Sequence, residues 1–394
     1  MIFKTPPWLI ILAALPLHLA LALGTDLSPD EAYYLAAARF PSVVPPLVDH
    51  PPLVPWLLRL TDPFTSLPVE LRVRVWPLLF CLALSFAALA LARRRGVLPP
   101  GQTLVAWLST FTLLPTAGGF VATPDGPALV AIVLALLWAE PAPDVASTTK
   151  ARRIVVALGV GLVAALGALG KVVVLPLLAA VAVVATGRTL VERVCLLAPL
   201  PFVAPLLAPS LRFQLHHAYT QTAPNWSLLG ALGAVLAALS AQALLWTPWV
   251  LVAGVKRLRG APRVDQALVF VLSALLVASA LARALPPEPN WFAPAALVLV
   301  VCASRSAQDL APRQQLAMLL VIVVPTALGA AHTLRPFLPL PERADPTARL
   351  HGWSAGSPPT NAPGVGTYGP AAERCVYKDT CEEINKYLRT LTEQ

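Results

Sequence analysis

The chain has 394 residues, of which 57% are hydrophobic and only 12% charged, and its mean hydropathy is +0.70. A soluble domain carries roughly 25% charged residues, so this composition excludes an ordinary soluble globule and describes an integral membrane protein. The net charge of +9 does not point to nucleic acid, because the basic residues fall in short runs between apolar segments, the pattern of cytoplasmic loops.

In chain order, apolar segments fall at 8–25, 75–92, 103–122, 127–139, 154–170, 172–187, 194–209, 228–253, 266–284, 291–304 and 316–333. They predict an all-α polytopic protein with about eleven transmembrane helices, although several segments are shorter than the roughly 20 residues of a full span. Forty-two prolines exclude a bundle of uniformly straight helices. The stretch after Lys4 is followed by no clear A-x-A site and reads as the first span. With the N-terminus in the cytoplasm and spans alternating, the basic runs Arg93-Arg94-Arg95, Lys150/Arg152/Arg153, Arg188/Arg193, Lys256/Arg257/Arg259/Arg263 and Arg305/Arg313 all land on the cytoplasmic side.

The outer face then receives a long first loop (about 25–75), a turn at 123–127, a loop at 209–226, "PPEPNW" at 286–291, and the tail. A transmembrane module over 1–334 and an extracytoplasmic tail domain over 335–394 follow from this division. The tail is rich in Pro, Gly, Ser and Thr up to Gly369, then helix-like in "DTCEEINKYLRTL". Outside the cytoplasm its Cys375 and Cys381 can pair, whereas Cys81, Cys195 and Cys302 lie in apolar segments as small buried hydrophobes.

The candidate chemistry collects on the outer side. In "SPDE" (28–31), Ser28 suits an N-cap, Pro29 the first helical position, and Glu31 completes a capping box. On that reading Asp30 and Glu31 only stabilise a helix start; on the other they are catalytic. "TPDG" (123–126) repeats the device and presents Asp125 at a second helix start. In "VDHPPLVPWLL" (48–58) the double proline stops helix at His50, and an amphipathic stretch resembling an interfacial helix follows. A turn before a surface helix explains the prolines but not the adjacent Asp49 and His50, a pair able to bind a divalent cation or a phosphate. Lys171 sits between two apolar segments with no acid near it in sequence. It is either a functional intramembrane charge or a lysine snorkelling from a tight turn. Arg212, His216 and His217 add positive or titratable groups to the same face.

Six motifs, "SPDEAYY", "DHPPLVPWL", "TPDGPAL", "GKVVVLPLL", "PSLRFQLHH" and "PNWFAPA", stand in an order that resembles bacterial protein O-mannosyltransferase-like enzymes of the GT-C fold. These are related to the aminoarabinose transferase that modifies lipid A. The resemblance covers roughly residues 8 to 305. It implies a GT-C-type helical bundle in the cytoplasmic (inner) membrane and transfer of a sugar from a polyprenyl-phosphate-linked donor on the outer side. The acceptor would be a lipid, an envelope glycan or a protein. It further implies that Asp30 and Glu31 are the catalytic Asp–Glu pair, with Asp30 as general base. Asp49 would be a ligand of a divalent metal ion. His50, where relatives often have Lys, and Lys171 would contact the donor phosphate, with Arg212 as a further contact. Asp125, His216 and His217 complete the site. A transporter or flippase of a lipid-linked substrate is the rival reading; it predicts charges spread across membrane depth, whereas here the acids concentrate on one face.

Overall fold

A computed structural model describes residues 5–45, 47, 49–140, 149–185, 188–214, 226–355, 369–378 and 380–392. Among these the regular structure is helical throughout, with nineteen α-helices and no strand. Helices α1 (Pro7–Ala13) and α2 (Leu15–Gly24) form one apolar rod, and the first loop carries α3 (Pro29–Arg39) and α4 (Leu53–Thr61). The bundle continues through α5 (Val69–Arg94), α6 (Pro99–Phe111), α7 (Leu113–Gly118), α8 (Asp125–Ala139), α9 (Lys150–Gly170) and α10 (Val174–Val184). Then come α11 (Leu190–Leu197), α12 (Leu200–Phe213), α13 (Leu228–Trp246), α14 (Pro248–Leu258), α15 (Arg263–Arg283), α16 (Ala293–Ser304) and α17 (Pro312–Leu334). The tail ends in α18 (Gly369–Lys378) and α19 (Glu382–Thr392).

The chain is thus an all-helical multi-pass membrane protein, but the count of about eleven spans is not established. Among the described residues, six helices are long and apolar enough to cross a membrane, or seven if α11 and α12, bent by 45°, make one span; α8 and α10 are apolar but shorter. The prolines are the reason. Pro199 stands at the break between α11 and α12, where it removes a backbone donor, although Ala198 before it keeps a helical backbone. The apolar stretch 228–253, expected as one segment, is likewise two helices. Thr247, before Pro248, takes φ 75° and starts α14 afresh, its hydroxyl accepting from Val250 N at 3.4 Å.

Helix α16 is buried along its whole length at the centre of the bundle. One end of the bundle gathers the basic runs. Arg95 pairs with Glu140 (2.9 Å) and Asp265 (2.5 Å), and Arg305 donates to the Arg95 carbonyl at 3.1 Å. These bonds tie the ends of α5, α8, α15 and α16 together.

The tail is not a loose appendage. At the exit of α17, His332 Nδ1 accepts from Phe337 N and Leu338 N, so its Nε2 carries the proton and donates to Asp345 at 3.1 Å. Helices α18 and α19 are joined by a Cys375–Cys381 disulfide. The expected helix in the tail is therefore a hairpin of two, beginning at Gly369. Ala372, Cys375, Ile384 and Leu388 pack on Tyr33, Ala36 and Ala37 of α3, an apolar contact that covers most of that helix.

Candidate active site

The site begins at the N-terminus of α3. Ser28 Oγ accepts from Glu31 N (3.3 Å) while Glu31 Oε2 accepts from Ser28 N (2.8 Å), so the capping box read from the sequence is formed. Glu31 does more than cap. Oε2 also accepts from Arg74 Nη2 at 2.9 Å, and Oε1 accepts from Arg74 Nε (3.0 Å) and from Ala122 N (2.9 Å). Both side chains are 0% exposed. A buried ion pair survives only if its remaining hydrogen-bonding capacity is used. Arg74 uses it on the carbonyls of Ala22, Thr25 and Asp26 and on the Thr25 hydroxyl. A carboxylate has about four acceptor sites, and Glu31 fills them all with protein donors. Glu31, expected to share the chemistry with Asp30, locks the helix start to α5 and to the loop before α8.

Asp30 is oriented differently. One residue on, a helix turns by roughly 100°, and the Asp30 side chain is 33% exposed, with Arg349 Nη1 at 3.4 Å from Oδ2. Tyr34, one turn further along α3, meets His50 edge to face at 6.1 Å between ring centroids. Residues four apart share a helix face, so α3 carries Asp30 and the His50 contact on one side.

The second loop and Lys171 close on the same region. Asp125 opens α8, but the expected hydroxyl cap is absent: the N-cap residue is Pro124, with no side-chain capping bond. Asp125 instead accepts from Lys171 Nζ at 2.6 Å on one oxygen and from Asn290 Nδ2 at 2.8 Å on the other. Lys171 is the C-cap residue of α9, and Gly170 before it is there for space. A Cβ on Gly170 would lie 3.0 Å from both the Pro124 carbonyl oxygen and Pro127, tighter than ordinary contact, and 3.6 Å from Leu53, so the glycine lets the end of α9 close on the Asp125 turn while it touches the start of α4. The acid absent from the sequence around Lys171 comes from 46 residues away.

Together these bonds make a ring. Ala122 N on Glu31 joins the second loop to α3; Gly170 joins α9 to the second loop and to α4; Tyr34 joins α3 to His50 just before α4. Asp30, His50, Asp125 and Lys171, from four separate stretches of sequence, are thereby drawn to one end of the bundle.

Asp49 and His50 precede α4. The His50 amide donates to Asp49 Oδ1 (3.1 Å), Gln214 Nε2 at the end of α12 donates to the Asp49 carbonyl (3.1 Å), and His50 Nδ1 is buried without a partner among the described residues. An orphaned ring nitrogen fits a ligand oxygen. Among the described residues no group of three His, Cys, Asp or Glu suited to a metal ion gathers around Asp49. Arg212 is exposed in the last turn of α12; His216 and His217 lie outside the described residues.

Three residues of the site were not singled out from the sequence. Arg74 carried a signal, the second of two arginines entering an apolar helix. Asn290 lies in a motif that was noted without a role. Arg349 had no signal. It reaches Asp30 only because the tail folds back: Asp26 N donates to the Leu350 carbonyl (2.9 Å), Trp353 N donates to Asp26 Oδ2 (2.9 Å), and Trp353 Nε1 donates to the Arg349 carbonyl (2.8 Å).

No family model and no curated protein matches the sequence. Among solved structures, the crystal structure of ArnT from Cupriavidus metallidurans in the apo state is similar to this chain, with a TM-score of 0.57 at 14% identity, covering 97% of this chain and 74% of that one. The likeness is one of fold, and it extends over nearly the whole chain: the molecule adopts the helical membrane architecture of ArnT, the GT-C arrangement that the order of its motifs led us to expect.

Proposed function

We propose that the chain is a membrane glycosyltransferase. It moves a sugar from a polyprenyl-phosphate-linked donor to a lipid, envelope glycan or protein acceptor on the outer side of the cytoplasmic membrane. The observation that carries this reading is the ring of contacts that brings Asp30, His50, Asp125 and Lys171 to one end of an ArnT-like fold.

Each group has a chemical task. Asp30, part-exposed at a helix start that Glu31 and Arg74 hold rigid, takes the proton of the acceptor hydroxyl or amine as that group attacks the anomeric carbon. The bond from the anomeric carbon to the donor phosphate breaks, and its electron pair leaves on the phosphate oxygen. That leaving group needs positive charge rather than a proton. Lys171 has three N–H donors and spends one on Asp125, so it can meet a phosphate oxygen without losing its anchor. The orphaned His50 Nδ1 is a second partner for the donor. Attack on one face with departure from the other inverts the anomeric carbon.

The test is turnover of purified, detergent-solubilised protein with a polyprenyl-phosphate sugar donor, comparing wild type with Asp30→Asn. The variant keeps the size and N-terminal position of the side chain but removes the base, so transfer should fall by roughly 10²–10⁴-fold with folding unchanged. An Asp30→Asn protein within about threefold of wild type would sink the base assignment.

A further inference from the structure

Away from the site, on the far end of α4, α2 and α5 leave a groove of about 370 Å³ under the loop that joins α4 to α5. Its walls are Leu19 of α2, Phe64 and Leu67 of the loop, and Leu71, Val75 and Leu78 on one stripe of α5. Phe64 and Leu67 are 56% and 42% exposed, so the loop offers an apolar underside that no described residue covers. Arg72 stands at the edge of the groove, and the accessible lining of the groove itself is apolar. Arg72 Nη1 donates to Asp62 Oδ1 and to the Asp62 carbonyl, both at 2.7 Å, while Arg39 binds the same carboxylate in fork geometry at 2.9 and 2.8 Å. One carboxylate thus faces two guanidiniums, leaving one positive charge at the rim. Arg72 Nε is buried and has no partner among the described residues. Glu70, two residues earlier and on another face of α5, is engaged with Tyr377 at 3.0 Å.

An apolar slot between two membrane-capable helices, capped by a net positive rim, is the complement of an anionic lipid. We propose that this groove holds one acyl chain of an anionic phospholipid whose phosphate sits on Arg72. The donor chain is a poorer match, because α4 lies between the groove and His50, and its nine residues span about 13 Å. The proposal stands apart from the transferase reading, and its readout is binding rather than turnover.

The experiment is native mass spectrometry of the full-length protein in detergent, titrated with phosphatidylglycerol and with phosphatidylcholine of identical chains. The first phosphatidylglycerol should bind at least about fivefold more tightly than phosphatidylcholine, the preference that one basic residue confers near a membrane surface. Arg72→Gln should bring the two lipids to parity, Arg72→Lys should keep the preference, and Asp62→Asn should enlarge it by removing the neutralising carboxylate. Val75→Trp, which fills the slot without touching the ion cluster, should abolish the first binding event for both lipids. If Arg72→Gln does not fold, Arg72→Lys, Asp62→Asn and Val75→Trp carry the test. Equal binding of the two lipids by the wild type, or an unchanged first site in Val75→Trp, would overturn the proposal. So would displacement of phosphatidylglycerol by a polyprenyl phosphate that itself fails to bind Val75→Trp, an outcome that would give the groove to the donor chain.

Discussion

Glu31→Gln removes the charge that offsets Arg74 while leaving the Arg74 guanidinium wholly buried. Breaking one side of a buried pair costs about 3–5 kcal/mol, so this variant should express poorly and melt well below wild type. Asp30→Asn, one residue away, should melt like wild type and fail to transfer sugar. A Glu31→Gln protein of normal stability would show that the ion pair does not hold the helix start. The capping box itself was legible in "SPDE", because N-capping is a local matter. The burial of Glu31 was not, because it depends on Arg74, 43 residues away, and on the amide of Ala122. Lys171 divides in the same manner. Its oddity in an apolar stretch was visible; its partners Asp125 and, through it, Asn290 were not. Lys171→Ala should raise the KM for a polyprenyl-phosphate donor, whereas Asn290→Ala, which leaves the ion pair in place, should change it less. Equal KM values for Lys171→Ala and wild type would remove Lys171 from the donor site.

At the scale of elements, the helical hairpin α18–α19 holds a carboxyl that the sequence did not mark. Glu373 is 2% exposed, and neither of its oxygens has a partner among the described residues. Burial pushes its carboxyl up to about 9, helped by Glu31, Asp26 and Glu70 and opposed by Arg74. The folded protein therefore keeps a proton that the undocked carboxyl, with an ordinary value near 4.5, would release. Docking of the hairpin is most favourable below that ordinary value and weakens as pH rises toward the folded one. Hydrogen exchange of α18 should speed up between about pH 6 and about pH 9 in wild type beyond the intrinsic base-catalysed change. In Glu373→Gln that excess should vanish. Identical excess in both proteins would mean that another group drives the effect. The helical period and the cysteine pair of this tail could be read in advance. Its seat on α3 could not, since it is built from alanines and tyrosines that carry no long-range signal.

For the whole molecule, the two ends of the bundle differ in charge, and that difference predicts an orientation. Helix α8 runs from Asp125 to Ala139, about 22 Å at 1.5 Å per residue. Asp125, at its start, holds Lys171; Glu140, just past its end, holds Arg95. The candidate site and the cluster of basic runs therefore lie at opposite ends of the same helix. Which helices cross the membrane was only partly legible, because prolines shorten and bend several of them below the length of a full span. The orientation does not need the full count. Basic residues accumulate on the cytoplasmic side, so the Arg95 end should face the cytoplasm, and the end carrying Asp125, Lys171 and Asp30 should face outward. Arg349 and Trp353 bind Asp30 and Asp26, so the segment holding Ser354 must lie on the same side as Asp30. A cysteine placed at exposed Ser354 should react with a membrane-impermeant maleimide in intact cells. One placed at exposed Arg259, at the end of α14, should react only after permeabilisation. The reverse result would invert the molecule, put the acids on the cytoplasmic side, and leave a donor on the outer face without its base.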